Sequence, residues 1–102
     1  MMEALLNTSF FFAPAVEKEV TRTLRERWIP ACNAAGEMPA VCLRLPSEEG
    51  IMRLAVQTRF ADSNSAERFR AEVTDDIADT LLRTLGADSF TCFSTIMEII
   101  DL

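Results

Sequence analysis

The sequence predicts an α+β fold of four strands and two helices, and three observations lead to that prediction. The spacing of apolar residues switches between a period of two, typical of strands, and a period of about four, typical of helices. These switches follow the order strand, helix, strand, strand, helix, strand. Pro and Gly fall at the boundaries between segments, where chain reversals favour them. The chain has 102 residues, and we expect residues 1–102 to form a single domain with one hydrophobic core.

The first strand and helix are predicted on either side of Pro14. From Leu5 to Ala13 alternate residues define two faces, one with Leu6, Thr8, Phe10 and Phe12, the other with Leu5, Asn7, Ser9 and Phe11. From Val16 onward apolar residues recur every four positions through Trp28, which predicts an amphipathic helix. Pro30 predicts a kink or an end near Ile29, and Gly36 is expected to terminate the segment that follows.

The next two strands form a predicted hairpin. The first runs from Met38 to Leu45, with Val41, Leu43 and Leu45 on one face and Ala40, Cys42 and Arg44 on the other. A turn of four or five residues ending at Gly50 follows. The second runs from Ile51 to Phe60, with Met52, Leu54, Val56, Thr58 and Phe60 on one face and Arg53, Ala55, Gln57 and Arg59 on the other.

The second helix is predicted to begin at a cluster of polar residues, 62–65, in which Asn64 and Glu67 have the spacing of a capping box. It ends at Gly86, and a final strand runs from Ser89 to Ile100. The order β-α-β-β-α-β is typical of the split βαβ, or ferredoxin-like, arrangement. We therefore expect an antiparallel sheet in the order 4-1-3-2, with both helices on one face and the other face open.

Composition excludes several classes of function. Ten Lys and Arg against sixteen Asp and Glu give a net charge of −6, which argues against a nucleic-acid or anionic-membrane partner. The chain has no His, so catalytic triads and imidazole-based metal sites cannot be built from it, and we expect no metal and no cofactor. An odd number of cysteines, no signal-peptide pattern and no long apolar segment predict a cytoplasmic protein.

The open sheet face carries the candidate functional residues. The period-two pattern assigns to it Asn7, Ser9, Arg44, Arg53, Gln57 and Arg59. Arginine binds carboxylates and phosphates in a bidentate manner, so these residues indicate either a small polar or anionic ligand or the interface of a homodimer. Trp28 is the seventh candidate, either as a core residue or at the mouth of a pocket.

Several short segments also resemble a known family. They are Trp28-Ile29-Pro30 at the end of the first helix, Glu48-Glu49-Gly50 leading into 54–57 (Leu-Ala-Val-Gln), and Leu85-Gly86. Together they resemble a family of short bacterial proteins of unknown function, itself similar to the dimeric α/β-barrel group that includes antibiotic-biosynthesis monooxygenases. Many members carry His before Ile-Pro, where this chain has Trp28. The resemblance implies a ferredoxin-like fold and a homodimer in which two open sheet faces meet; it implies no catalytic residue.

Two functional hypotheses follow. The first is a noncatalytic homodimer with a binding or scaffolding role, with a possible small-molecule ligand at the open face. The second is a cofactor-free monooxygenase or isomerase that confines a small aromatic or enolisable substrate, with Asn7, Trp28 and Gln57 as its polar groups. The second hypothesis requires a cavity above about 300 Å³ next to those residues.

Overall fold

A computed structural model of the chain describes residues 2–102; Met1, with which the predicted domain begins, lies outside the described residues. One antiparallel sheet contains four strands: β1 (Ala4–Phe12), β2 (Val41–Glu48), β3 (Ile51–Phe60) and β4 (Phe90–Glu98). Their spatial order is β2-β3-β1-β4, which confirms the predicted order 4-1-3-2 counted from the other edge. The ferredoxin-like prediction is confirmed.

Two helical rods connect the strands, and each is irregular at its middle. The first helical rod (residues 14–35) consists of a 3₁₀ turn (Pro14–Val16), α1 (Glu17–Thr23), a π-helical turn (Leu24–Trp28) and α2 (Ile29–Ala35). The second helical rod (residues 63–85) consists of α3 (Ser63–Phe69), a π-helical turn (Arg70–Thr74) and α4 (Asp75–Leu85). Both rods pack on one face of the sheet, called the helix face below.

The π-helical turn in the first rod immediately precedes Pro30. A proline inside a helix lacks the N–H that would bond to the carbonyl four residues earlier, and its ring collides with that carbonyl. Here the helix widens into the π-helical turn before it reaches Pro30, and the Ile29 N–H donates to the Leu24 carbonyl, five residues earlier. The rod then continues to Ala35, so the irregularity predicted near Ile29 takes the form of a wide turn rather than an end.

The hairpin between β2 and β3 is tighter than predicted. Glu49 and Gly50 form its two-residue turn with φ of 51° and 80°, the pattern of a type I′ turn. β2 therefore continues to Glu48, and a bulge between Leu45 and Glu48 absorbs the extra length. The bulge contains Pro46, which an edge strand tolerates because one of its sides has no hydrogen-bonded neighbour.

The second rod begins two residues earlier than the capping-box prediction places it. Asp62, rather than Asn64, is the N-cap, and its Oδ1 accepts a hydrogen bond of 2.7 Å from the Ser65 N–H. This bond holds the pKa of the Asp62 carboxyl below its usual value. A charged N-cap also interacts favourably with the positive end of the helix dipole.

The core lies between the helix face and the two rods. Its largest fully buried side chains are Trp28, Phe10 and Phe12. The buried Thr8 is satisfied by a 2.8 Å hydrogen bond with the Ser94 hydroxyl. Among residues 2–102, no helix combines the length and the apolar character needed to cross a bilayer.

Candidate functional site

The centre of the open face is a small polar cluster on β1 and β3. Asn7 lies opposite Gln57 in the ladder between these strands. The Gln57 amide donates to the Asn7 Oδ1 at 3.2 Å, and the Asn7 amide donates to the Ser9 Oγ at 3.3 Å. Asn7, Ser9 and Gln57 therefore lie together on the open face, as expected. Their side chains are half-buried and hydrogen-bonded to one another.

The two arginines of β3 lie at opposite ends of the open face. Arg53 and Arg59 are six residues apart on one strand, which separates them by about 20 Å. The Arg53 guanidinium donates to the Pro46 carbonyl at 3.0 Å and lies 3.9 Å from the Glu48 carboxylate. The Arg59 guanidinium lies 4.0 Å from the Glu3 carboxylate. Each arginine thus faces a carboxylate of its own chain, and the two cannot hold one small ligand within a protomer.

Arg44 lies on the other side of the sheet from its predicted position. In the β2–β3 ladder it pairs with Leu54, whose side chain is buried on the helix face. Its guanidinium accordingly lies 3.9 Å from the Glu17 carboxylate on α1. The placement of Arg44 on the open face was wrong because the apolar residues of β2, rather than its polar ones, share the open face with Gln57.

Apolar side chains border the polar cluster on both edges of the open face. The β2 flank consists of Val41, Leu43 and Leu45, and the β4 flank consists of Phe93 and Met97; all five are exposed. The β4 flank continues into β1, because the Phe93 ring stacks on the Phe11 ring with centroids 5.7 Å apart. The β2 flank was not predicted: alternation groups Val41, Leu43 and Leu45 on one face, but only the register against β3 shows that this is the open face.

Trp28 is buried on the helix face, where its ring and the Phe10 ring form a T-shaped pair with centroids 4.8 Å apart. It borders a cavity of about 160 Å³ between the second rod and β4, which is also lined by Asp75, Asp79 and Cys92. Burial, followed by the charges of the two aspartates, raises the pKa of the Cys92 thiol to about 11.

The sheet separates Trp28 from Asn7 and Gln57, so these three residues cannot line one cavity within a protomer. The cavity beside Trp28 is also smaller than the 300 Å³ that the enzyme hypothesis requires. Residues 2–102 contain no cluster of three or more cysteine, aspartate or glutamate side chains that could hold a metal ion. The three cysteines are free.

Comparison with known proteins relates the chain to others by structure alone. No family model matches it, and no curated protein matches it in sequence. A protein of unknown function from Nitrosomonas europaea superposes with a TM-score of 0.74 at 16% identity, covering 100% of this chain and 93% of that one. A dimeric ferredoxin-like protein from an uncultured marine organism superposes with a TM-score of 0.66 at 13% identity, covering 100% of this chain and 99% of that one.

A candidate antibiotic biosynthesis monooxygenase from Bacillus cereus gives a TM-score of 0.62 at 13% identity, covering 100% of this chain and 97% of that one. The chain shares the fold of these proteins. The resemblance found in the sequence is therefore confirmed as far as the fold is concerned. Proteins with different descriptions share this fold. Identities this low carry no information about substrate.

Proposed function

We propose that this protein is a homodimeric binding or scaffolding domain whose two copies pack through their open faces. The observation that carries the proposal is the pair of exposed apolar flanks on the open face. The side chains of Val41, Leu43 and Phe93 are 51%, 41% and 56% exposed in a single protomer. Apolar surface of this extent on one side of a soluble domain is typical of an interface.

The layout of the open face fits a symmetric pairing. In a two-fold dimer the same patch serves both copies, so the apolar flanks of one copy can pack on those of the other. The central cluster of Asn7, Ser9 and Gln57 forms its hydrogen bonds within the protomer, so burying it leaves fewer polar groups without partners. Arg53 and Arg59 lie toward the ends of the face, where an interface has its polar rim.

Other features support the same proposal. Two ferredoxin-like proteins of this fold, both from uncultured marine organisms, are described as dimeric. A net charge of −6 favours a second copy of the chain over nucleic acid as the partner. An odd number of cysteines, all free, fits a reducing compartment, and we place the protein in the cytoplasm.

Sedimentation velocity at micromolar concentration tests the dimer. The test variant is Leu43→Glu, which places a charge in the β2 flank. The matched control is Leu82→Glu on the second rod, because Leu82 is exposed to nearly the same extent, 39% against 41%, but lies away from the open face. We expect dimers for the wild type and for L82E and monomers for L43E. A monomeric wild type, or equal dissociation of both variants, would refute the proposal.

A further inference from the structure

A second and larger cavity lies between the first rod and the edge strand β2, on the helix face. Its volume is about 380 Å³, within the range of about 300 to 1,000 Å³ found for small-molecule sites. Val20 and Leu24 of the rod belong to the buried core, and Leu24 also forms part of the wall of this cavity. All eight residues of β2 remain exposed, so the rod leaves this edge of the sheet partly uncovered.

The walls of this cavity combine an apolar surface with two cations. The apolar part is supplied by Leu24, Ile29, Leu54 and, at the edge shared with the β2 flank, Leu43. Arg25 reaches it from the rod and Arg44 from β2, so the two guanidinium groups belong to facing elements. Such a combination suits an apolar molecule that carries one anionic group, because arginine pairs with carboxylates through two parallel hydrogen bonds.

The positive charge of the cavity is only partly balanced. Arg44 faces Glu17 at 3.9 Å, which shows that a carboxylate can reach this guanidinium. Arg25 forms no ion pair with any carboxylate of residues 2–102. Cys42 also lines the cavity; burial raises the pKa of its thiol, and the charge of Arg44 acts in the opposite direction. Arg25 and Arg44 thus place positive charge at the wall of this cavity, in a protein that is acidic as a whole.

We infer that this cavity binds a small molecule with an apolar body and one carboxylate, the body on Leu24, Ile29 and Leu54 and the carboxylate between Arg25 and Arg44. The inference goes beyond the proposed dimer, because the cavity lies on the helix face of one protomer. Arg44, which the sequence pattern placed on the open face as a ligand-binding or interface residue, thus belongs to a proposed anion site on the opposite side of the sheet.

Titrations followed by amide NMR shifts test the site, with 4-phenylbutyrate as the probe and its neutral amide as the comparison. We expect saturable shifts in α1, the following π-helical turn and β2, and affinity for the amide lower by about tenfold, equivalent to ~1.4 kcal/mol. Arg25→Gln should lower the affinity for 4-phenylbutyrate by a similar factor. The matched control is Arg27→Gln on the same rod, since Arg27 is exposed and does not line the cavity.

Four results would overturn the inference. They are no saturable shift at millimolar probe, equal affinity for the acid and the amide, equal weakening by R25Q and R27Q, and shifts confined to the open face. Because Leu43 itself lines the cavity, a variant of the other flank, Phe93→Glu, separates the two proposals. Shifts retained in a monomeric F93E support a site built within one protomer, whereas absence of the shifts in both wild type and F93E refutes the site and leaves the dimer standing.

The cysteines supply an independent measure of the charge in the cavity. Iodoacetate and iodoacetamide alkylate the same thiolate, so the ratio of their rates at one cysteine cancels the thiolate fraction and reports the local potential. Cys42 lies beside Arg44, and Cys92 lies beside Asp75 and Asp79 in the same chain. We expect a higher ratio of iodoacetate to iodoacetamide rates at Cys42 than at Cys92. Equal ratios, or the reverse order, would contradict an anion-attracting cavity.

Discussion

Gly36 lies where the end of the first rod passes close to β3. A Cβ atom at this position would stand 2.7 Å from the Thr58 Cγ2 and 3.0 Å from the Cys32 carbonyl oxygen. Its φ of −79° suits any residue, so the need for glycine comes from the close approach and not from the backbone angle. The sequence correctly placed the helix end here, but the contact with Thr58 depends on the tertiary fold and has no local signal.

We expect Gly36→Ala to lower the free energy of unfolding by about 1–3 kcal/mol, because the added methyl overpacks a filled site. Urea denaturation measures the change. Thr58→Ser removes the nearest methyl and keeps the hydroxyl, so the double variant should lose less than the sum of the two single variants. Additive losses would show that the Thr58 methyl is not the source of the strain, and an unchanged G36A would contradict the close packing altogether.

Among the larger elements, the β2–β3 hairpin turn contains a residue poorly suited to its backbone conformation. Glu49 has a φ of +51°, a region that costs most side chains about 1–2 kcal/mol and that Asn adopts more readily. We expect Glu49→Asn to raise the free energy of unfolding by about 0.5–1 kcal/mol, measured as a higher urea midpoint at constant slope. Glu49→Gln is the control, since it removes the same charge at the same position and keeps a side chain for which a positive φ is unfavourable. A stabilisation by both substitutions would show that charge, rather than the turn, is responsible.

The same hairpin explains why the sequence indicated the order of the strands but not the face on which Arg44 lies. Alternation divides the residues of β2 into two sets, but only the register against β3 decides which set faces the rods. A four-residue turn would pair Leu45 with Met52 on the helix face, and a five-residue turn would pair it with Ile51 on the open face. The sequence left both lengths open. In the structure Leu45 pairs with Arg53, so Leu45 lies on the open face, as the five-residue turn would place it. A two-residue turn together with a bulge produces this pairing.

Strands whose register was not in question were predicted well. β3 has the predicted bounds, and the cluster of Asn7, Ser9 and Gln57 forms where alternation on β1 and β3 places it. The 380 Å³ cavity had no sequence signal, because Arg25 and Arg44 line one cavity only when the rod lies over the edge strand. Local patterns thus determined which residues share a face, whereas contacts between elements required the fold.

At the scale of the whole molecule, the sheet divides the protein into two sides with different roles. On the helix face, core packing buries Trp28 and Phe10 and leaves cavities at the edges. On the open face, polar groups bond to each other at the centre and apolar side chains remain exposed at both edges. A solitary protomer would keep those side chains in water, so the stability of the fold should be linked to association.

This linkage predicts a melting temperature that depends on protein concentration. When a dimer unfolds into two separate chains, its free energy of unfolding rises by about 1.4 kcal/mol for each tenfold rise in protein concentration. For two chains of 102 residues, an unfolding entropy of about 2 cal/mol/K per residue converts this into a rise of roughly 3 °C per tenfold. Differential scanning calorimetry over a hundredfold range of concentration measures it, with L82E expected to follow the wild type. The L43E variant should melt at a temperature independent of concentration, because its unfolding is that of a single chain; a slope equal to that of the wild type would show that the β2 flank is not part of the interface.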